Sequence, residues 1–147
     1  MKIHFIGIGG IGISGLAQYM HHKGHEISGS DISDTVITKK LRELGITVTI
    51  PHNASAITNQ DLVVHSAIIR PDNPEVVAAK AKGIEVLARR EAPLQILNNS
   101  KVYAVAGAHG KSTTTAILTS IMDGSSIIGA ESKAFGSNVR YEKDNNV

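Results

Sequence analysis

Short apolar runs alternate with segments whose apolar residues recur at helical spacing, and glycine or polar residues separate the two kinds. Runs of four to six residues suit buried strands, whereas the longer periodic segments suit helices packed on a sheet. The pattern predicts strands at residues 3–8, 26–30, 46–50, 61–66, 85–88 and 102–106. It predicts helices at residues 11–23, 34–44, 74–82, 91–97 and 112–122, with Asp34 and Asn73 as N-caps. Residues 127–128 are a candidate short strand, and the tail from Ser137 is predicted to be poorly ordered.

The strict alternation of strands and helices predicts an α/β fold, with a Rossmann-like parallel sheet and helices on both faces. A polar break at residues 98–101 interrupts the pattern. We therefore expect a Rossmann-like domain at residues 1–100. Residues 101–147 are predicted to supply the strand and helix that begin a second, incomplete domain.

The amino-acid composition limits the classes of partner that the chain is expected to bind. The chain has 147 residues, 41% hydrophobic and 19% charged, which is ordinary for a globular fold. Aromatic residues make up 3% and the net charge is +2, so neither stacking on single-stranded nucleic acid nor a basic nucleic-acid surface is predicted. Cysteine is absent, which excludes disulfides. We find no targeting or membrane segment in the sequence and expect a cytoplasmic protein.

A glycine loop follows the first predicted strand. Gly7, Gly9 and Gly12 have the G-x-G-x-x-G spacing, in which the backbone and the next helix's N–H groups approach a diphosphate. Asp31 ends the second predicted strand, 19 residues beyond Gly12, where such folds place an acid that binds a ribose hydroxyl. The alternatives are a glycine-rich turn without a ligand and an aspartate that caps or turns the chain.

A second glycine loop lies near residue 110. Gly107, Gly110, Lys111 and Ser112 form a shortened G-x-x-G-K-S loop, because Val105 stands where a longer P-loop has its first glycine. Backbone N–H groups of such a loop surround phosphates, Lys111 can reach the β- and γ-oxygens, and the Ser112 hydroxyl can bind Mg²⁺. Its position between an apolar run and a threonine-rich helix start argues against chance.

Taken together, these motifs resemble the Mur ligases. The matching segments are HFIGIGGIGISGLA at 4–17, SGSD at 28–31, SAI at 66–68 with DNPE at 72–75, Arg89 with Glu91, and AGAHGKSTTT at 106–115. The resemblance implies an ATP- and Mg²⁺-dependent carboxylate–amine ligase of peptidoglycan synthesis, with UDP-N-acetylmuramate and L-alanine as substrates. A close competitor within the family is the ligase that recycles tripeptide.

The resemblance also implies two sets of site residues. The UDP-substrate set is Gly9, Gly10, Ile11, Gly12, Ser30, Asp31, Ser66, Ala67, Ile68 and Arg89. The ATP set is Gly107, Ala108, His109, Gly110, Lys111, Ser112 and Thr113, with Lys111 catalytic and Ser112 a metal ligand. The family usually has threonine where Ala108 and Ser112 stand; serine keeps the hydroxyl, whereas alanine loses a hydrogen-bonding group.

The family's central domain continues beyond residue 147 and a further domain binds the amino acid, so we expect an N-terminal fragment that binds the UDP-sugar without ligating it. An apolar edge at residues 102–106 could pair with a second copy. Three alternatives remain open at this point: a nicotinamide-dependent oxidoreductase, a plain P-loop ATPase and a non-catalytic nucleotide-binding module.

Overall fold

The computed structural model describes residues 1–97, 101–132 and 136–142, and it shows the predicted α/β architecture. The strands are β1 (Lys2–Ile6), β2 (Glu26–Ser30), β3 (Thr47–Thr49), β4 (Leu62–His65), β5 (Glu85–Ala88), β6 (Ser126–Ser132) and β7 (Ser137–Arg140). The helices are α1 (Ile11–His22), α2 (Val36–Glu43), α3 (Pro74–Ala81), α4 (Ala92–Ile96) and α5 (Lys111–Ile121), with a 3₁₀ turn at Ala54–Ala56. No helix in these ranges is long and apolar enough to cross a bilayer.

The first five strands form one parallel sheet in the order β3-β2-β1-β4-β5. The order reverses around β1, so the loops after β1 and β4 leave the sheet side by side at its carboxyl edge. Ligands of open α/β sheets bind at such a switch point. The first glycine loop follows β1 and therefore stands at that edge.

Side chains of the central strands alternate between two cores, as parallel strands covered on both faces require. Ile3 and Phe5 of β1 belong to the larger core, which α1, α2 and α4 cover. Ile6, the last residue of β1, belongs to a smaller core with Val76 of α3. Helices therefore cover both faces, as the sequence predicted.

One predicted strand is wrong. Residues 102–106 are described and are not a strand, apart from an isolated bridge at the preceding Lys101. A strand needs a neighbour to pair its N–H and C=O groups, and β6 pairs with β7. Within the described ranges no strand lies beside 102–106, and Val102 and Tyr103 are each 48% exposed.

One of the two predicted N-caps needs correction, while the other is confirmed. Thr35, not Asp34, caps α2, because Thr35 and Thr38 exchange side-chain-to-backbone hydrogen bonds in a capping box. The Asp34 carboxylate instead accepts from the Thr38 hydroxyl at 2.7 Å. Asn73 caps α3 as predicted.

The tail from Ser137 is not poorly ordered where it is described. Residues 137–140 form β7, antiparallel to β6, and residues 127–128 lie within the seven-residue β6. Residues 143–147 lie outside the described residues. So do residues 98–100, at which the domain boundary was predicted, and that boundary stays a prediction.

Candidate functional site

The first glycine loop is tied to the end of β2 by three backbone amides. The N–H groups of Gly7 and Ile8 donate to the Ser30 carbonyl at 2.8 and 2.9 Å. The N–H of Gly9 donates to Asp31 Oδ2 at 2.8 Å. Gly7 has φ +78°, which favours glycine. These hydrogen bonds to the end of β2 therefore fix the conformation of the loop without a ligand.

The start of α1 is open to a ligand. Gly10 is its N-cap, no side chain caps it, and its first turn carries no acid. The first N–H groups of a helix have no intrahelical acceptor, and they carry partial positive charge. Gly10 and Ile11 are exposed. This helix end thus has the chemistry of a diphosphate site.

Arg89 lies against the same end of α1, although it comes from the other half of the sheet. It follows β5, and its N–H donates to the His65 carbonyl at 2.8 Å. Its guanidinium occupies the space that a Cβ at Gly12 would need. The missing side chain at position 12 lets a cation lie against the first turn of α1, which adds a full positive charge to the helix end.

Ser30 is buried, whereas Asp31 is half-buried beside the first loop. Asp31 accepts from Gly9 N–H and, through Oδ1, from Ile32 N–H at 2.8 Å. Ser30 is fully buried, and its hydroxyl contacts Glu75 and His52. Both residues support the loop directly, and a ribose contact by Asp31 stays a prediction.

The predicted uridine turn after β4 has one unusual atom. Ser66 Oγ is buried and has no hydrogen-bond partner among the described residues. It lies close to Gly7, where an added Cβ would come within 2.8 Å of it. Ala67 is exposed, and Ile68 is 83% exposed. The turn thus holds an unpaired, buried hydroxyl against the first loop and exposes an apolar side chain beside it.

The second glycine loop has left-handed glycines and leads into α5. Gly107 has φ +154° and Gly110 has φ +76°, and Gly110 is the N-cap of α5 without a side-chain cap. Lys111 Nζ donates to the carbonyls of Gly107 and Ala108 at 2.6 and 3.0 Å. The ammonium therefore lies inside the curve of the loop, beside the open end of α5.

The rest of this loop is exposed. Ala108, His109, Ser112 and Thr113 all face solvent. The Ser112 hydroxyl is in the first turn of α5, so a cation held by phosphate oxygens there would lie within its reach. The donors present fit the phosphate end of a nucleotide, and the role of Ser112 as a ligand to Mg²⁺ stays a prediction.

A cavity of about 420 Å³ brings both loops together. Gly12 and Arg89 line it from the first loop's side, and Lys111 and Ser112 line it from the second. Two uncapped helix N-termini and two cationic side chains thus border one space. The rest of the lining is largely apolar and includes Leu16, so the two cationic groups are set in a mostly apolar wall.

The hairpin β6–β7 packs on α1. Asn138 Nδ2 donates to the Ile11 carbonyl at 2.5 Å, and its Oδ1 accepts from Gln18 Nε2 at 3.1 Å. Gly15 permits the approach, because a Cβ there would lie 2.9 Å from Asn138 Nδ2. Arg140 donates to the Thr119 carbonyl of α5. The hairpin therefore contacts the helices that follow both glycine loops.

Sequence reasoning missed the buried polar cluster beneath the first loop. Glu75 and His4 are 0% and 1% exposed, and Glu75 contacts His4, Ser30 and the backbone of Asn53. Its signal in the sequence was the presence of polar residues within predicted buried strands, at His4, Ser28 and Ser30, where covered strands are normally apolar.

Comparison with known proteins gives consistent matches. The family model described as Mur ligase family, catalytic domain, matches residues 2–101. The UDP-N-acetylmuramate–L-alanine ligase of Campylobacter curvus is 55% identical over 146 residues, which are 99% of this chain and 34% of that protein. The enzyme of the same name from Helicobacter pylori is 52% identical over 140 residues, 95% of this chain and 31% of that protein.

Solved structures agree with these matches. UDP-N-acetylmuramate–alanine ligase from Thermotoga maritima superposes with a TM-score of 0.90 at 33% identity, over 99% of this chain and 36% of that one. UDP-N-acetylmuramate:L-alanyl-γ-D-glutamyl-meso-diaminopimelate ligase from Neisseria meningitides gives 0.86 at 27% identity, over 98% of this chain and 47% of that one. The chain spans about a third of the length of the relatives it matches in sequence. Since the family model covers well over half of the residues, the chain belongs to the Mur ligase family.

Proposed function

We propose that this chain is the UDP-sugar-binding part of an ATP-dependent ligase that joins L-alanine to UDP-N-acetylmuramate in the cytoplasm. The observation that carries the proposal is the cavity shared by the two glycine loops, since a ligase of this kind must bring a nucleotide-linked carboxylate to ATP. The relatives named for this reaction, 52–55% identical, support the choice of substrates.

The first loop would hold the UDP diphosphate. The N–H groups of Ile11 and Gly12, in the first turn of α1, would supply hydrogen bonds, and Arg89 would supply charge. The uridine then lies toward the turn at residues 66–68, where Ser66 Oγ is free and Ile68 is exposed. The muramic acid carboxylate extends into the cavity toward Lys111.

The second loop would hold the ATP phosphates. The N-terminus of α5 faces the β- and γ-oxygens, and Lys111 stabilises the charge that develops as the γ-phosphoryl group moves to the carboxylate. Mg²⁺, bound in part by Ser112, would supply further charge neutralisation. The amine of L-alanine then attacks the acyl phosphate and releases inorganic phosphate.

The described residues do not supply every group that this reaction needs. Lys111 is the one catalytic side chain that we assign, and the second loop follows a segment without sheet partners. We propose that residues 101–147 belong to a separate ATP-binding domain and that this chain alone does not ligate. The exposed Val102 and Tyr103 would favour self-association, which sedimentation velocity over a concentration series tests.

The first loop taken alone also fits a nicotinamide-dependent oxidoreductase. That alternative leaves the second loop without a role, although both loops line one cavity. Calorimetric titrations with UDP-N-acetylmuramate and with NADH separate the two functions. We expect the UDP-sugar to bind and NADH not to bind; NADH binding without UDP-sugar binding would overturn the proposal.

Activity is tested on the full-length protein. We expect formation of UDP-N-acetylmuramoyl-L-alanine and phosphate that depends on ATP and Mg²⁺, with little product when tripeptide replaces L-alanine. A preference for tripeptide would assign the chain to the recycling enzyme instead. A plain ATPase would release phosphate at the same rate without the UDP-sugar.

A further inference from the structure

A buried polar cluster connects four segments of the chain beneath the first glycine loop. We define the Glu75 cluster as Glu75, His4, Ser30, His52 and Asn53. Glu75 lies in the first turn of α3, His4 in the middle of β1, and Ser30 at the end of β2. His52 and Asn53 follow β3. None of these residues was assigned a joint role from the sequence.

Glu75 is the centre of this cluster. Its Oε2 accepts from the Ser30 hydroxyl at 2.5 Å and from His4 Nε2 at 3.3 Å, and its Oε1 accepts from the Asn53 N–H at 2.8 Å. The Ser30 oxygen in turn lies 2.8 Å from His52 Nδ1. A fully buried carboxylate is tolerated in a fold when donors surround it in this way.

The cluster is connected to the phosphate loop through a single residue. The side chain of Ser30 is held by Glu75, while its carbonyl accepts from the N–H groups of Gly7 and Ile8. The next residue, Asp31, accepts from Gly9 N–H. A change in the position of Ser30 therefore moves the acceptors for three consecutive amides of the loop.

We propose that Glu75 is a positioning residue for the nucleotide site: by fixing Ser30 it fixes the first glycine loop in its phosphate-binding shape. Glu75 acts through Ser30 and does not touch the ligand. The inference rests on the proposed function only for the identity of that ligand. The contacts between Ser30 and the loop are the same whatever the ligand is.

The first test does not need a ligand. Amide hydrogen exchange is compared for wild type, Glu75→Gln, Ser30→Ala and the exposed control Glu43→Gln. We expect exchange at Gly7, Ile8 and Gly9 to rise about tenfold in Glu75→Gln, which corresponds to the loss of roughly one net hydrogen bond. Exchange in the central residues of β4 should change less. Equal changes in both places, or none, would mean that Glu75 acts on stability alone.

The second test is a double-mutant cycle in UDP-N-acetylmuramate affinity, measured at a temperature where each variant is folded. Because Glu75 acts through Ser30, we expect the double variant to bind about as weakly as Glu75→Gln alone, rather than with the product of the two losses. Independent losses, or unchanged affinity in both single variants, would overturn the inference.

The two tests separate this inference from the proposed function. Wild type that does not bind the UDP-sugar would contradict the proposed function, and hydrogen exchange would still decide the role of Glu75. If Glu75→Gln does not fold, Ser30→Ala carries the exchange measurement and a single comparison of affinity with wild type, in place of the cycle. It removes the same link and leaves the Glu75 carboxylate bonded to His4 and Asn53.

Discussion

The two glycine loops border one cavity but are supported very differently. The first loop is held by Ser30 and Asp31 at the edge of a five-stranded sheet, over a buried core. The second loop is exposed and is bridged by the Lys111 ammonium, and it follows a segment that has no strand partner in the described part of the chain. We therefore expect the first loop to bind its ligand with less rearrangement of the backbone than the second loop.

The largest expected effect is at the first loop. Gly12→Val places two methyl groups in the space of the Arg89 guanidinium, in the first turn of α1. We expect UDP-N-acetylmuramate affinity to fall about 100-fold, or roughly 2.7 kcal/mol. The affinity is measured by calorimetry. Ala81→Val, at the exposed end of α3, is the control. Wild-type affinity in Gly12→Val would remove the first loop from the UDP site.

The second-largest expected effect concerns packing, which differs between the five-stranded sheet and the β6–β7 hairpin. A Cβ at Gly29 in β2 would lie 2.7 Å from the Phe5 carbonyl oxygen, which cannot move freely, whereas Gly129 in β6 has open space. We expect Gly29→Ala to lower the free energy of unfolding by about 2 kcal/mol and Gly129→Ala to change it by less than about 0.5 kcal/mol. Urea denaturation measures both, and similar losses would contradict the contrast.

A smaller effect depends on pH. Burial acts to raise the pKa of Glu75, but hydrogen bonds from His4, Ser30 and the Asn53 N–H outweigh it and hold the pKa below its ordinary value of 4.5. Such a group stabilises the fold above pH 4.5, and the contribution is lost as pH falls through the folded pKa.

The corresponding measurement is urea denaturation of wild type and Glu75→Gln from pH 7 to pH 3. We expect wild type to be more stable by about 1 kcal/mol at pH 7, and the difference to shrink as the pH falls below 4.5. A difference that stays constant across the range would show that the Glu75 charge does not contribute.

The smallest expected effect is that of Lys111 on the UDP site. Lys111→Ala removes the ammonium that bridges the second loop but leaves every contact of the first loop in place. We expect UDP-N-acetylmuramate affinity to change less than about twofold, roughly 0.4 kcal/mol, while ATP-dependent turnover of the full-length protein is lost. A tenfold loss of UDP-sugar affinity would show that the sites are not separable.

Much of the five-stranded sheet and its helices could be predicted from the sequence, because the signals for these elements are local. Strands at residues 26–30 and 85–88 and the Asn73 cap follow from short patterns, and the structure has them at those residues. The wrong strand at residues 102–106 has the same apolar pattern, but a strand also needs a neighbour, and the described chain gives it none.

The contacts that shape the site could not be predicted, because they join residues far apart in the chain. Glu75 reads locally as an acidic residue in a first helical turn, and nothing near it indicates that His4 and Ser30 lie against it. Asn138 likewise reaches Ile11 across 127 positions. Such contacts depend on the order of the strands, which periodicity does not specify.

The most direct test of the contrast between the loops is an amide chemical-shift titration of the isotopically labelled chain with UDP-N-acetylmuramate. We expect saturable shifts at Gly9, Gly10, Ile11 and Gly12, with the amides of residues 107–113 shifting little. Shifts centred on Gly110 and Lys111, with the first loop unchanged, would place the UDP-sugar at the second loop and contradict the account.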